Sequence, residues 1–309
     1  MKKHFKKILL GILVILVVAF GFTGNYFYNF ALNPKVDKSA IVNQDSDGNK
    51  EDKKAVENWF ETTKKELTMD SVTKNKLVGY KFENPGAKKW IIVVHGYTSS
   101  SFKMANYIKK FYDMGYNVFA PDLIAHGKSE GDFISMGGYD STDLVNWIKK
   151  ISEDSGNADI ALFGISMGAA TVMNSLGKNL PSNVKVFIED SGYVNLKTEF
   201  TYQLKKLFNL PSFPVIPAAN TMTKLRAGYF FGDVDATEAL KNTKLPALVL
   251  HGEEDGFVPI EHGKAAYELI NSKKEFHSFS GMKHVQAERK FREQYWNIVG
   301  EFLNKNFNN

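Results

Sequence analysis

An α/β domain with a mostly parallel sheet and helices on both faces is the fold class this sequence predicts, on three observations. Short apolar, β-branched runs recur along the chain, each closing on Gly, Asp, Ser or His. Stretches with helical periodicity separate them. A glycine-flanked serine stands where one such run gives way to a helical stretch. Parallel strands are buried on both faces and so read as continuous apolar runs, and their crossovers require helices between them.

The elements follow in order from the N-terminus. After MKKHFKK an unbroken apolar run extends from Ile8 to Phe22, and Tyr26, Phe27, Tyr28 and Phe30 follow before Pro34. A bilayer needs about 20 predominantly apolar residues as helix, and aromatic side chains favour its interfaces, so Ile8 to Phe30 is long enough to span. Lys2, Lys3, Lys6 and Lys7 hold that end in the cytoplasm by the positive-inside rule, which leaves the rest of the chain outside. Residues 1–32 therefore read as a single-pass signal anchor at the cell membrane. The competing reading is secretion after signal cleavage, since Val17 and Ala19 have cleavage-like spacing; against it, Phe20 to Phe22 continue the apolar run. Residues 33–54 turn polar and read as a solvated tether. Asp45, Asp47 and Asn49 imitate the start of a calcium loop, but Lys50 stands where glycine is needed and Val56 where a bidentate glutamate is needed.

The domain itself is assigned to residues 55–309. Val56, Trp59, Phe60 and Leu67 recur at helix-like spacing and predict an opening amphipathic helix over 55–67. Strands are predicted at WIIVVHG (Trp90 to Gly96), YNVFAPD (Tyr116 to Asp122), IALFGIS (Ile160 to Ser166), VKVFIED (Val184 to Asp190), ALVLHG (Ala247 to Gly252) and Glu275 to Phe279. Helical stretches lie at Phe102 to Met114, Tyr139 to Ile151, Met167 to Leu176, His262 to Ile270 and Gln286 to Phe302. The interval from Gly192 to Leu245 is too long for a simple crossover, and its middle, LFNLPSFPVIPAA, is apolar and proline-punctuated. It predicts an inserted cap or lid at about 192–245.

Charge and composition exclude several functions. The chain carries a formal net charge of +5, but four of its 39 basic side chains are the N-terminal lysines, and without them the balance is +1. The only arginines are Arg226, Arg289 and Arg292, whereas phosphate and base recognition favours arginine, so nucleic-acid binding is not expected. The absence of cysteine removes disulfides, thiolate metal sites and a thiol nucleophile. Any nucleophile must then be oxygen or imidazole.

GISMG, Gly164 to Gly168, is the sharpest local signal. A strand that turns abruptly into a helix strains its central residue, so the positions two before and two after must be small. Ser166 then projects from the turn, with the N–H groups of the following helix aimed at developing negative charge. A serine hydroxyl is a poor nucleophile at neutral pH and needs a base oriented by a carboxylate. His4 belongs to the membrane flank, His262 to a helix surface and His277 to a strand; His95 and His251 close strands, and His126 braces a turn. His284 differs, because it sits in the loop SGMKH before the closing helix, where a side chain can reach the C-terminal edge of the sheet. Asp255, in HGEEDGFVP, lies 29 residues before it and is the favoured acid; Asp190, one strand earlier, is the rival.

The order Ser166, Asp255, His284 resembles that of the α/β hydrolases. HGYTSS (His95 to Ser100) is similar to that superfamily's oxyanion loop, and PDLIAHGKSEG (Pro121 to Gly131) to its D-x-x-x-H-G-x-S turn. GISMGAATVM, IEDSGY and the N-terminal anchor resemble membrane-anchored bacterial members of the serine aminopeptidase and prolyl-oligopeptidase-like branch. The resemblance implies an α/β-hydrolase fold and oxyanion donors at the backbone N–H groups of Tyr97 and Met167. The chain departs from the branch in having no β-propeller to gate peptides. The expected function is thus an extracytoplasmic serine hydrolase acting on a small-molecule ester or acyl substrate without cofactor or metal. Phe208, Leu210, Phe213, Val215 and Ile216 of the inserted segment would suit an acyl or aryl group. A peptidase, with Glu189 or Glu199 binding the substrate amine, and a catalytically silent binding protein are the alternatives.

Overall fold

The computed structural model describes residues 2–38 and 50–308. Asp45, Asp47 and Asn49 of the calcium-loop look-alike and half of the predicted tether lie outside the described residues. Helix α1 (Lys2–Leu32) comes first, followed by α2 (Lys50–Thr63) and strands β1 (Lys65–Asp70), β2 (Lys76–Phe82) and β3 (Trp90–Val94). Next are α3 (Ala105–Asp113), β4 (Asn117–Pro121), α4 (Gly138–Asp154), β5 (Ile160–Ile165), α5 (Met167–Ser175) and β6 (Val184–Asp190). Helices α6 (Leu196–Phe208), α7 (Ser212–Ala227) and α8 (Thr237–Asn242) fill the long interval before β7 (Ala247–Gly252). The chain closes with α9 (Ile260–Leu269), β8 (Lys274–Phe279), α10 (Ala287–Lys290) and α11 (Arg292–Asn306).

The eight strands form one sheet in the order β1-β2-β4-β3-β5-β6-β7-β8. Only β2 runs against its neighbours; every other pairing is parallel. Successive side chains of a strand point to opposite faces, and the core divides accordingly. Ile92, Val94 and Leu162 pack with Leu144, Ile148 and Met173 of α4 and α5. Ile91, Val93 and Phe163 pack with Ile108 and Phe111 of α3 and with Val299 and Leu303 of α11. Burial on both faces is what made the central strands readable as unbroken apolar runs.

The structure corrects the opening of the domain. Helix α2 ends at Thr63, and Leu67 belongs to β1, where it and Met69 are half-buried between exposed neighbours. That alternation over KELTMD is the mark of an edge strand, too short and too polar to outweigh the helical spacing before it. The aromatic run at the end of α1 is also placed differently. Instead of lying free at an interface, Tyr26, Phe27 and Phe30 surround Phe208 of the insertion, with ring centroids 6.4, 5.1 and 5.0 Å away. Helix α7 lies along the same end of α1, so close that a Cβ on Gly24 would sit 2.4 Å from the Ala218 carbonyl oxygen. Arg226 Nη1 donates to Oδ1 of Asn25 and Asn29, and its guanidinium lies 4.2 Å from the Tyr28 ring centroid. Lys38 Nζ donates to the carbonyls of Asn29 and Phe30, which the last turn of a helix leaves without an intrahelical donor. Burial pulls this ammonium down to about 8.

Candidate active site

The turn from β5 into α5 forces Ser166 into a left-handed backbone, φ 55° and ψ −119°. Both glycines of the motif are required by contact. A Cβ on Gly164 would come 2.5 Å from the Gly168 oxygen, and one on Gly168 would come 2.2 Å from the Val94 oxygen and 2.5 Å from that of His95. Gly96 is less tightly constrained from the facing loop, where its Cβ would meet that of Ser166 at 3.3 Å. Thr98 and Val285, which flank the site on its other loops, also hold positive φ, at 57° and 53°. Such conformations cost about 1–3 kcal/mol each for non-glycine residues and survive only where surrounding packing imposes them. Nothing in their residue types signals this.

Ser166, His284 and Asp255, named from three separate segments, come together at the C-terminal edge of the sheet. Asp255 Oδ1 accepts from the backbone N–H groups of Phe257 and Val258, which fixes the carboxylate. Its Oδ2 lies 2.6 Å from His284 Nδ1, and His284 Nε2 lies 2.9 Å from Ser166 Oγ. A carboxylate can only accept, so Nδ1 carries the proton and Nε2 is left to accept from the serine hydroxyl. The Phe257 ring packs 4.9 Å from the imidazole, a neighbour sequence reasoning did not identify. Asp255 is buried while the His284 side chain keeps 22% of its surface.

The rival acid is placed elsewhere. Asp190 accepts from Tyr295 Oη and Ser191 Oγ at the end of β6, and burial raises its carboxyl to about 6. His126 Nε2 accepts from Thr98 N–H and braces its loop as expected, and His95, at its strand end, also accepts, at Nε2 from Leu123 N–H; burial holds His95 down to about 4 and His126 to about 3. His251 donates from Nε2 to the Val258 carbonyl oxygen. His262 is not on a surface: it is buried, accepts from Val194 N–H, and lies 3.4 Å from Glu199 Oε2. Met167 is the first residue of α5, where helical N–H groups have no intrahelical acceptor, and Tyr97 faces it from the loop after β3.

Two hollows meet at Ser166. One is apolar and narrow and is walled by the insertion and by the end of α1. Phe208, Val215 and Ile216 line it, but Leu210 and Phe213 do not; both point to solvent, Phe213 with 75% of its surface exposed. The other is open and carries much more polar surface, with His284, Lys103, Lys283 and Arg289 among apolar residues. Tyr97, Ser166 and Phe257 border both. Of the two carboxylates considered for an amine, Glu199 lines the apolar hollow, whereas Glu189 is fully buried in β6. Among the described residues no group of three or more His, Asp or Glu is arranged to hold a metal ion.

Comparison with known proteins adds independent weight. The family described as "Serine aminopeptidase, S33" matches residues 85–226, a span that contains Ser166 and stops short of Asp255 and His284. An esterase of Pyrococcus furiosus superimposes with a TM-score of 0.65 at 26% identity, covering 86% of this chain and 98% of its own. The chain belongs to the α/β-hydrolase superfamily. The hydrolase is 27% identical over 301 residues to the uncharacterized protein YqkD of Bacillus subtilis, covering 96% of this chain and 97% of that one. It is 28% identical over 193 residues to human protein ABHD12B, covering 59% of this chain and 50% of that one. These similarities support a serine hydrolase of α/β fold.

Proposed function

We propose that this hydrolase cleaves carboxylic esters outside the membrane through an acyl-enzyme on Ser166. The observation that carries the reading is the continuous hydrogen-bonded chain from Asp255 through His284 to Ser166 Oγ. Ser166 Oγ attacks the ester carbonyl as His284 Nε2 takes its proton. The carbonyl oxygen, now an anion, is held by the Tyr97 and Met167 N–H groups. His284 returns the proton to the leaving alcohol, water then attacks the acyl group with His284 as base, and the acid and free serine are restored. Asp255 keeps the imidazole in the right tautomer and stabilises its charge. The apolar hollow at the nucleophile and the likeness to an esterase support an ester over a peptide.

A serine aminopeptidase is the second reading, and one observation favours it. Glu199 lines the hollow beside Ser166, and the nearest partner of its buried Oε2 is His262 Nε2, at 3.4 Å and outside hydrogen-bond geometry. An anchored, outward-facing topology is supported by α1, which is long and apolar enough to cross a membrane and has lysines at its start.

One experiment tests chemistry and location together. A membrane-impermeant fluorophosphonate applied to intact cells should label Ser166, and Ser166→Ala should lose both labelling and turnover of p-nitrophenyl esters by at least about 10³-fold. Retained turnover in the alanine variant removes the assignment; labelling only by a permeant probe reverses the topology. Aminoacyl amides cleaved faster than simple esters, with the preference lost in Glu199→Gln, would favour the peptidase.

A further inference from the structure

The N-terminal helix does more than tether. Its last two turns form one wall of the apolar hollow: Phe27 and Phe30 pack on Phe208, and together with Ala31, Val215 and Ile216 they line the space beside Ser166. The wall is tied to the catalytic machinery: Tyr97 Oη donates to the Ala31 carbonyl at 2.6 Å, and Ile134 N–H donates to that of Leu32 at 2.8 Å. Tyr97 is the same residue whose backbone N–H is placed in the oxyanion site.

The other end of α1 is bare. From Phe5 to Phe22 nearly every side chain faces away from the protein. Its apolar part, Ile8 to Phe22, is about 22 Å of helix, short of the roughly 30 Å hydrocarbon core, so a spanning helix draws its packed end to the interface. Protein packing begins at Gly24, one turn before the hollow. A helix that crosses the bilayer over its bare length therefore sets the wall of the hollow at the membrane surface. Phe213 and Leu225 of α7, each 75% exposed, lie on the element packed against this end of α1. Such side chains are costly in water and at home in an interface.

The polar hollow supplies the opposite chemistry. Lys103, Lys206 and Lys283 line it, and the acid among its described lining residues is Glu288. Glu288 already accepts from Arg292 Nε and Trp296 Nε1. Beyond its N-terminal lysines the chain is nearly neutral, so this is a local concentration of positive charge.

Resting on the ester-hydrolase reading above, we infer that the substrate is a membrane-resident amphiphile, a fatty acyl ester with an anionic head group. The acyl chain lies in the hollow walled by α1 and the insertion, the ester carbonyl sits at Ser166 where the two hollows meet, and the head group lies among the lysines. Tail and head are thus read on opposite sides of the nucleophile, and the tail moves from bilayer to pocket along one helix.

The test uses the full chain reconstituted in phosphatidylcholine vesicles. p-Nitrophenyl esters from acetyl to dodecanoyl should show kcat/KM rising by up to about three- to fourfold per methylene until the hollow is full. Lysophosphatidylglycerol should be cleaved at least tenfold faster than lysophosphatidylcholine with the same chain, and the margin should shrink as salt is raised. Ala31→Trp should lower dodecanoyl turnover at least tenfold more than acetyl turnover, and Ala31→Leu should fall between. Fluorophosphonate labelling of Ser166 in each variant reports whether the fold is kept. Acetyl turnover with a flat chain-length profile, an indifferent Ala31→Trp in a labelled protein, or equal cleavage of the two lysolipids would each overturn the inference while leaving the ester-hydrolase reading intact. Loss of all ester turnover and labelling in the unaltered chain would instead remove the reading on which it rests.

Discussion

Ser166 stands on a turn whose geometric requirements are met within five residues, whereas the hollow beside it is walled by segments far apart in the chain, α1, α6 and α7. At the turn each restraint is on the backbone: a positive φ at the serine and a glycine on either side, where a methyl group would strike backbone oxygen of the turn itself or of the adjacent β3. In the hollow each restraint is a side-chain contact across the fold, such as Phe27 and Phe30 against Phe208. The difference separates two properties of the enzyme. On the proposed reading reactivity rests on backbone and hydrogen bonds, which tolerate almost no change, and substrate choice on apolar packing, which can be altered in graded steps.

Substitutions at the hydrogen-bonded chain should therefore give the largest effects. Asp255→Asn leaves His284 free to adopt the wrong tautomer, and turnover of p-nitrophenyl acetate should fall by about 10⁴-fold. Asp190→Asn is the matched control. It is a buried aspartate on the neighbouring strand, but its partners are Tyr295 and Ser191, so turnover should stay within about tenfold of the parent. Equal losses in the two variants would mean that the carboxylate orienting His284 has been wrongly identified.

A smaller effect is expected from the backbone of the turn. In Gly168→Ala the new methyl group meets Val94 and His95 oxygens at 2.2 and 2.5 Å, and neither can move without displacing β3 and the Tyr97 loop behind it. Overpacking of this kind should cost about 3 kcal/mol of stability, measured by urea unfolding, and lower kcat for all chain lengths together. The contrast with Ala31→Trp, which should act on long chains, is the sharpest test of the division between turn and hollow. A chain-length-dependent response to Gly168→Ala would break it.

The same division explains what could be read from the sequence. GISMG, the strand ends and the loops carrying Asp255 and His284 were legible because a strained turn and a buried parallel strand each leave a short, contiguous mark. The inserted segment was legible as an interval too long and too apolar for a crossover, but not its helices' contacts, since proline and phenylalanine there do not say which face meets which. β1 is hard to read because an edge strand alternates weakly, Leu67 and Met69 being its only half-buried residues; β2 is buried from Leu77 to Tyr80, but Gly79 and Lys81 interrupt its apolar run. The aromatic end of α1 was read as belonging to the membrane interface. Composition alone cannot distinguish an aromatic facing lipid from one facing Phe208, and the decisive residue, Gly24, marks close approach only once α7 is placed beside it. His262 was misplaced for a similar reason, because its buried face is created by Val194 and Glu199 from the insertion.

The smallest expected effect falls where turn and insertion join. Glu189 is fully buried in β6, and its Oε2 accepts from the N–H of Gly192, the point at which the chain leaves the sheet for α6. Burial lifts its carboxyl from 4.5 to about 8, an effect the charge of Asp190 adds to. The native protein therefore keeps a proton that the unfolded chain releases once pH passes about 4.5, and unfolding is favoured progressively from there up to about 8. The contribution is whole only below that window. Glu189→Gln keeps an acceptor for Gly192 but removes the titration. Between pH 5 and pH 7 the parent should lose about 2 kcal/mol more stability than the variant in urea unfolding. Asp140 and Asp190, raised by burial to about 7 and about 6, titrate in the same direction in both proteins and cancel in the difference. Parallel curves would show that Glu189 is ionised in the native state, and that the junction between the reactive turn and the substrate-selecting insertion holds a buried charge in place of a buried acid.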